Sequence, residues 1–391
     1  MKTVYKAFKA ESGSPLAEAQ AAIRLARVGP GEKPYLIGFT PVGRTNPYQA
    51  LLYDTVGEFG TATTPIVNSW SFDKLLRVAS QTERLIIHVH WTSFVLSGVE
   101  SREVALHKIA DLREKIERLR SSGVAIVWTL HNIVPHDTRF PDLELEVEQF
   151  LADTADVIHA LSYGSLEVMD QYLTVDRSKV IVVPHPNYTS AYEDFVSRED
   201  ARLAFGIEPD ERVYVLLGAL KRYKGLPRLL EAFDRFCAED PSIPRRLLIG
   251  GMPDKDDHEV ADFVAACEKH PRVLIEAKKI PSNFVHYYMR AADVGYAAYA
   301  RMLNSGAVLL YQSFDLPVIT LDNPALWESM TDDIAQRVSV AGVDGILDGF
   351  RGAERFFEQS VTRQVRRYVS QFDPTSLSRS FVSQVLSRVA E

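Results

Sequence analysis

Short apolar runs alternate with longer amphipathic stretches along most of the chain. Tyr35–Thr40, Leu85–His90, Val124–Leu130, Val157–Ala160 and Val180–Val183 have the length and near-continuous apolar character of buried strands, and Ile66–Val67 reads as a shorter one. Between them, Asp73–Ser80, Arg102–Ser121, Glu144–Ala155 and Ser165–Tyr172 place apolar residues at helical spacing. A further helix is expected to start near Tyr48, after the turn-rich Pro41–Pro47. Apolar strands alternating with amphipathic helices predict a parallel sheet covered on both faces.

Pro184-His185-Pro186-Asn187-Tyr188 interrupts this pattern, which then begins again. Val213–Gly218 leads to the helix Leu226–Cys237, Arg246–Gly250 to His258–His270, and Val273–Glu276 to Asn283–Ala291. Val294–Ala298 leads to Ala307–Phe314, and Val318–Leu321 to Pro324–Met330. The expected fold is therefore α/β, with two Rossmann-like βα domains facing across a cleft. Residues 1–186 form the first domain and 187–345 the second. A helical tail, 346–391, is broken at Asp373-Pro374 and could cross back to the first domain. At the other end, Val4–Lys9 and the helical pattern Leu16–Val28, stopped by Gly29-Pro30-Gly31, suggest an extra strand and a covering helix.

Composition narrows the classes. With 391 residues, 46% of them apolar, the chain is long enough to bury two cores. No run approaches the roughly 18 apolar residues that span a bilayer, and the N-terminus lacks a signal-peptide layout, so a cytoplasmic protein is expected. Cys237 and Cys267 have no CxxC partner and read as two free structural thiols in a reducing compartment. A net charge of −8 argues against nucleic acid as the main partner but leaves room for a local basic site.

Two turns carry candidate chemistry. After the first strand of the second domain comes Gly218-Ala219-Leu220-Lys221-Arg222-Tyr223-Lys224-Gly225, three cations in four residues opening a helix. Such an arrangement suits a diphosphate, because free N–H groups and the positive end of the helix dipole add to the side-chain charge. Asn304-Ser305-Gly306 precedes another apolar helix and makes a second anion-suited turn at a strand's carboxyl end.

In combination, this loop and the later Ala-Asp-strand–Tyr-x5-Ser-Gly–helix–Pro-Val-Ile resemble the donor domain of GT-B glycosyltransferases. The resemblance covers most of residues 205–330. It implies that Lys221 and Lys224 hold the diphosphate of a nucleotide sugar, with Asn304, Ser305 and Gly306 as the phosphate-facing turn. It also implies that Lys278–Ile280 reads the base through backbone groups; Glu328, after the last strand of the series, could reach the donor sugar or ribose. Retaining members of the large sucrose-synthase-like group carry two glutamates eight apart, and those positions fall here on Leu303 and Tyr311. Their arginine in the first loop falls on Ala219. The pattern is closer to the inverting β-mannosyltransferases that build bacterial exopolysaccharide units, or dolichol-linked glycans, on a lipid carrier.

The first domain agrees with that resemblance. Trp128-Thr129-Leu130-His131-Asn132-Ile133-Val134-Pro135-His136-Asp137 leaves a strand and resembles the His-Asn-x-x-Pro-His segment of the same group. Inversion is a single displacement needing a base for the acceptor hydroxyl and cations for the departing diphosphate. Asp137 is the first choice for that base, with His131 or His136 orienting the acceptor; a purely structural His131 is the competing reading. His90 and Trp91 are expected on the acceptor side, together with Arg44 and Asn46 on the loop after the first strand. His88 and His90 share a strand face but lack a third ligand, and Asp254-Lys255-Asp256 reads as a solvated turn, so no metal or other cofactor is required.

The expected substrates are a nucleotide sugar, GDP- or UDP-linked with GDP-mannose first, and a glycan or polyprenyl-diphosphate-linked acceptor. A lipid-linked acceptor would imply peripheral contact with the inner face of a membrane. The part-basic helix Arg102–Ser121 is the first place to look for that contact, a solvated face being the default. Two alternatives stay open: a nucleotide-sugar epimerase, which would turn over donor without acceptor, and a catalytically silent binding subunit. A dinucleotide-dependent dehydrogenase is disfavoured, since no strand is followed by GxGxxG.

Overall fold

The computed structural model describes residues 14–44, 46–134, 138–299, 302–328, 330–358 and 360–390. These divide into two compact units. Asn187–Asp373 form one, and the described residues up to Pro186 together with those from Pro374 form the other.

The first unit is built on a six-stranded parallel sheet. Its strands are β1 (Tyr35–Thr40), β2 (Thr61–Pro65), β3 (Leu85–Val89), β4 (Ala125–Thr129), β5 (Val157–Ala160) and β6 (Val180–Val182), in the order β2-β1-β3-β4-β5-β6. β3, β4 and β5 are buried along their whole length, which is why they read as continuous apolar runs. Two expectations are corrected here. The strand anticipated at Ile66–Val67 lies just before it, at Thr61–Pro65, where β-branched threonines supply strand propensity without aliphatic character. The anticipated helix Asp73–Ser80 winds instead as tight 3₁₀ turns over Ser69–Gln81. Leu16–Leu25 is helical and packs on β2, whereas Val4–Lys9 lies outside the described residues.

The helix Pro374–Ala390 belongs to this unit, with Phe381, Val382, Val385 and Val389 in a core shared with β1, β3 and β4. Ser378 Oγ ties it down, donating to the Leu52 carbonyl at 2.8 Å and accepting from the Thr55 N–H at 3.0 Å.

The second unit repeats the plan with β7 (Arg212–Leu217), β8 (Arg245–Gly250), β9 (Val273–Glu276), β10 (Val294–Ala297), β11 (Val318–Leu321) and β12 (Ala335–Val338). All pairings are parallel, in the order β12-β11-β10-β7-β8-β9. Strand β12 escapes sequence reading because polar Gln336 and Arg337 interrupt its apolar run; Gln336 lies against Gly352 and Arg337 packs on the Trp327 ring. The helix Arg198–Phe205 is likewise additional, capped by Ser197 and ended by Gly206 at φ +64°. The helices Val343–Ala353 and Thr362–Val369 stay with this unit, and Phe350 packs against Tyr214, Phe233 and Phe236 in its core. Cys237 and Cys267 are free and buried here.

Candidate active site

In the second unit, the loop after β7 is held in an extended path by the loop after β8. Gly218 N–H donates to the Gly250 carbonyl at 2.9 Å, and Leu220 N–H to the Met252 carbonyl at 2.8 Å. This approach requires glycine twice: Gly218 sits at φ +122°, and a Cβ on Gly251 would lie 2.0 Å from the Gly218 oxygen. Lys221 then pairs with Asp254 at 2.7 Å, so the first aspartate of the Asp254-Lys255-Asp256 string is engaged by a lysine. One tight turn, Arg222–Lys224, and Gly225 at φ +63° launch the helix Leu226–Glu239.

Lys224 is only 5% exposed, and its Nζ lies 3.4 Å from where a Cβ on Gly218 would sit. It stands 4.9 Å from the centroid of the Tyr299 ring, and no carboxylate among the described residues pairs with it. Burial lowers the lysine to about 7. Tyr299 follows β10, so this contact brings the two candidate turns together. Ser305 Oγ caps the helix Gly306–Ser313 by accepting from the Val308 N–H at 3.2 Å, and Asn304, Ser305 and Gly306 are half-buried.

Leu303 and Tyr311 are buried structural residues. The Tyr311 hydroxyl accepts from the Leu217 N–H at 3.0 Å and donates to the Tyr296 carbonyl at 3.3 Å. It bridges β7 and β10 at the ends where their pairing has stopped. Lys278 is exposed after the edge strand β9 and pairs with Glu276 at 3.3 Å; Ile280 leans on the core. Glu328 is exposed after the helix Pro324–Trp327. Lys278, Ile280 and Glu328 stand apart from Lys224 and Tyr299 in sequence.

In the first unit the site residues gather at the carboxyl ends of β1, β3 and β4. Gln49 holds the loop after β1, accepting from the Gly43 N–H at 2.8 Å and donating to the Pro41 carbonyl at 2.9 Å. Gly43 lies against Trp91, Asn46 accepts from the Tyr48 N–H at 3.0 Å, and Arg44 is exposed. Trp91 stacks on His131 with centroids 4.6 Å apart. His136 and Asp137 lie outside the described residues.

Beneath this corner runs a row of buried side chains that local sequence patterns do not disclose. His159 Nε2 is 2.8 Å from the Val183 carbonyl, and its Nδ1 is 3.1 Å from Thr129 Oγ1. Thr129 meets His88 Nε2 at 2.7 Å, and His88 Nδ1 meets the Tyr53 hydroxyl at 2.6 Å. That hydroxyl is 2.9 Å from His90 Nε2, and His90 Nδ1 is 3.3 Å from His131 Nε2. Burial pushes all four imidazoles below the ordinary histidine value, His159 to about 4; repulsion from the other histidines adds to this for His88, His90 and His131, while the Val183 hydrogen bond partly offsets it for His159. Phe381 seals the row, stacking on His88 at 5.4 Å and lying 4.9 Å from His159.

Strand alternation gives part of this row, since His88 and His90 share one face of β3. The remainder follows from the order β3-β4-β5, which sets Thr129 beside His159. A second unforeseen pair, Glu144 and Glu148, is buried on one face of the helix Pro141–Thr154. The Thr92 hydroxyl donates to Glu148 at 3.3 Å, and burial raises Glu144 to about 7 and Glu148 well above its usual range. The helix Arg102–Ser121 ties much of its basic charge into ion pairs near the surface: Arg102 pairs with Asp142, Arg113 with Glu146, and Lys115 and Arg118 with Asp73. Among the described residues, no helix is long and apolar enough to cross a membrane, and no cluster of three or more metal-binding side chains occurs.

The two parallel sheets, each flanked by helices, are those of the GT-B glycosyltransferase fold. The sucrose-phosphate synthase from Thermosynechococcus elongatus superposes with a TM-score of 0.67 at 12% identity, over 92% of this chain and 100% of that one. The Anabaena protein HepE, solved in complex with UDP and glucose, gives 0.64 at 12% identity, over 90% and 99%. In sequence, the GDP-mannose:glycolipid 4-beta-D-mannosyltransferase of Xanthomonas campestris pv. campestris is 23% identical over 363 residues, 88% of this chain and 90% of that one. No family model matches the sequence.

Proposed function

We propose that this protein is an inverting glycosyltransferase that moves a hexose, mannose first, from a nucleotide diphosphate sugar to a lipid-linked glycan in polysaccharide biosynthesis. The observation that carries the reading is Lys224, an ammonium buried where the turns after β7 and β10 meet, paired with no carboxylate among the described residues. A buried cation without a counter-charge is costly, and a protein that keeps one has a use for an anion there. The Xanthomonas mannosyltransferase, similar along nearly the whole chain, supports a GDP-sugar as that anion and a glycolipid as acceptor.

In this reading Lys224, Lys221 and the Ser305-capped helix start neutralise the departing diphosphate, so transfer proceeds without a bound metal. The segment His131–Asp137 supplies the base that takes the acceptor proton, and Trp91, Arg44 and Asn46 line the acceptor side, with His90 buried beneath them. Lys278–Ile280 contacts the base of the nucleotide and Glu328 its sugar. A lipid-linked acceptor would bring the protein to a membrane surface.

The test is a thermal-shift panel of GDP-, UDP- and dTDP-sugars, followed by transfer to a polyprenyl-diphosphate glycan with and without chelator. GDP-mannose should raise the melting temperature most, in line with mass action on the native state. Transfer should survive chelation. If no nucleotide sugar shifts the transition, the assignment fails.

A further inference from the structure

The buried row in the first unit has a direction, and one atom sets it. The Val183 carbonyl can only accept, so His159 must carry its proton on Nε2. A neutral His159 then accepts at Nδ1, and the Thr129 hydroxyl must donate to it. Thr129 has no second proton, so its oxygen accepts from His88 Nε2–H. His88 therefore accepts at Nδ1 from the Tyr53 hydroxyl, whose oxygen accepts in turn from His90 Nε2–H. His90 Nδ1 then accepts from His131 Nε2–H. Each assignment follows from the one before, because every group in the row has one proton to give.

From this chain, resting on the glycosyltransferase reading, we propose that the six side chains form a one-way hydrogen-bond relay that fixes His131 in its Nε2–H tautomer. His131 Nδ1 is thereby the atom that accepts the proton of the incoming hydroxyl. His131 is the catalytic residue of the relay; Tyr53, His88, His90, Thr129 and His159 are positioning residues acting through it.

The step balances. The acceptor O–H bond breaks as its oxygen bonds the anomeric carbon, and the bond from that carbon to the diphosphate breaks with its electron pair leaving on the diphosphate. The hydroxyl proton passes to His131 Nδ1. His131 can then hand its Nε2 proton to His90, and the same shift repeated along the row ends on His159 Nδ1. The positive charge is thus shared among several rings instead of being trapped on one buried imidazole. After product leaves, the shifts run backwards and Nδ1 returns its proton to water. Tyr48, Trp91 and His90 pack against His131, and His185 is close enough to oppose its charged form; no carboxylate among the described residues is bonded to the row.

The test combines spectroscopy and kinetics on the full chain. Nitrogen-15 NMR of histidine-labelled protein should show His131 protonated at Nε2 and bare at Nδ1. Tyr53→Phe keeps the ring packed on Phe39, 4.9 Å away, but cuts the relay. It should lower kcat at least about tenfold, part of the 10²–10⁴-fold general-base contribution, with the donor KM and the nucleotide-induced thermal shift unchanged. His159→Leu removes the source of direction and should do the same. His159→Gln, which can still donate to Val183 and accept from Thr129, should restore most of the rate. A His131 protonated at Nδ1, or wild-type kcat in both Tyr53→Phe and His159→Leu, overturns the relay. A wild-type chain with the expected tautomer but no transferase activity sinks the glycosyltransferase reading instead.

Discussion

The Lys224 ammonium lies 4.9 Å from the Tyr299 ring, and this cation–π contact is the join between the loop after β7 and the turn after β10. Such a contact recovers about 2 kcal/mol when desolvated, less than the cost of burying an unpaired ammonium. The unliganded site is therefore held at the expense of stability. Lys224→Met should raise the melting temperature at pH 7 by about 2–4 °C per kcal/mol relieved, while abolishing the shift caused by a nucleotide sugar. The sign over pH is fixed as well. Since the folded lysine titrates near 7 and the unfolded one near 10.5, the unfolded chain holds the extra proton between those values, and wild-type stability rises with pH there. The advantage of the variant should shrink across that window; a constant difference would mean Lys224 is not buried as described.

Proton uptake should accompany donor binding. Above pH 7 a share of Lys224 is neutral in the unliganded chain, and a diphosphate beside it restores the charge. Affinity for a GDP-sugar should then fall by up to about tenfold per pH unit above 7, approaching one proton bound per ligand. Calorimetry in two buffers of different ionisation enthalpy measures that proton directly. Identical binding enthalpies at pH 8.5 would remove Lys224 from the diphosphate site.

Tyr311 stands where retaining relatives of the sucrose-synthase-like type are expected to carry a carboxylate, and its job here is structural. Its ring lies against Gly295, where even a Cβ would fall 2.3 Å from it, and its hydroxyl satisfies the Leu217 N–H. Tyr311→Phe keeps the ring and orphans that buried N–H, so it should cost about 1–3 kcal/mol. Urea unfolding is the measurement, and a loss under about 0.5 kcal/mol, within the noise of a surface change, would show that the hydroxyl is dispensable. Tyr311→Glu should destabilise further, because it places a carboxylate at a fully buried site.

Much of this organisation is legible in the chain and some is not, for reasons that differ by residue. Strands such as Leu85–Val89 and Arg212–Leu217 announce themselves because sheets covered on both faces need unbroken apolar runs. Lys221 and Lys224 stand out because a basic cluster opening a helix is a local signal. The histidine row is not local. Thr129 looks like an ordinary strand terminus and Tyr53 like a helix-end aromatic, and only strand adjacency and the return of Phe381 place them together. Glu144 and Glu148 are hidden for another reason: they sit in an acidic helix start, Pro141-Asp142-Leu143-Glu144-Leu145-Glu146-Val147-Glu148, where nothing local marks which glutamates are buried. Asp137, the first choice for the base, and His136, a candidate for orienting the acceptor, lie outside the described residues.

The same buried groups predict how the first unit responds to acid. His88, His90, His131, His159 and His185 are neutral when folded, with His159 and His185 lowered to about 4. The unfolded chain takes up protons on these residues near pH 6.5, so the stability they contribute is present above 6.5 and lost as pH falls toward 4. His159 alone accounts for about 3 kcal/mol at 1.36 kcal/mol per unit. Glu144 and Glu148 act oppositely: their contribution is complete below about 4.5 and lost as pH rises, through about 7 for Glu144, while burial raises Glu148 well above its usual range. Between 4.5 and 6.5 the histidines outnumber the glutamates, and net stability should climb steeply with pH. Above 6.5 only the glutamates still titrate, so stability should level and decline slightly. Three of the four tryptophans, Trp70, Trp91 and Trp128, lie in this unit, so tryptophan fluorescence during urea unfolding at stepped pH reports chiefly on it. Glu144→Gln with Glu148→Gln should abolish the decline above pH 6.5 and leave the acid limb in place. A transition midpoint that stays flat from pH 4.5 to 6.5 would mean the histidines are not buried and neutral, and the relay built from them would fall with that.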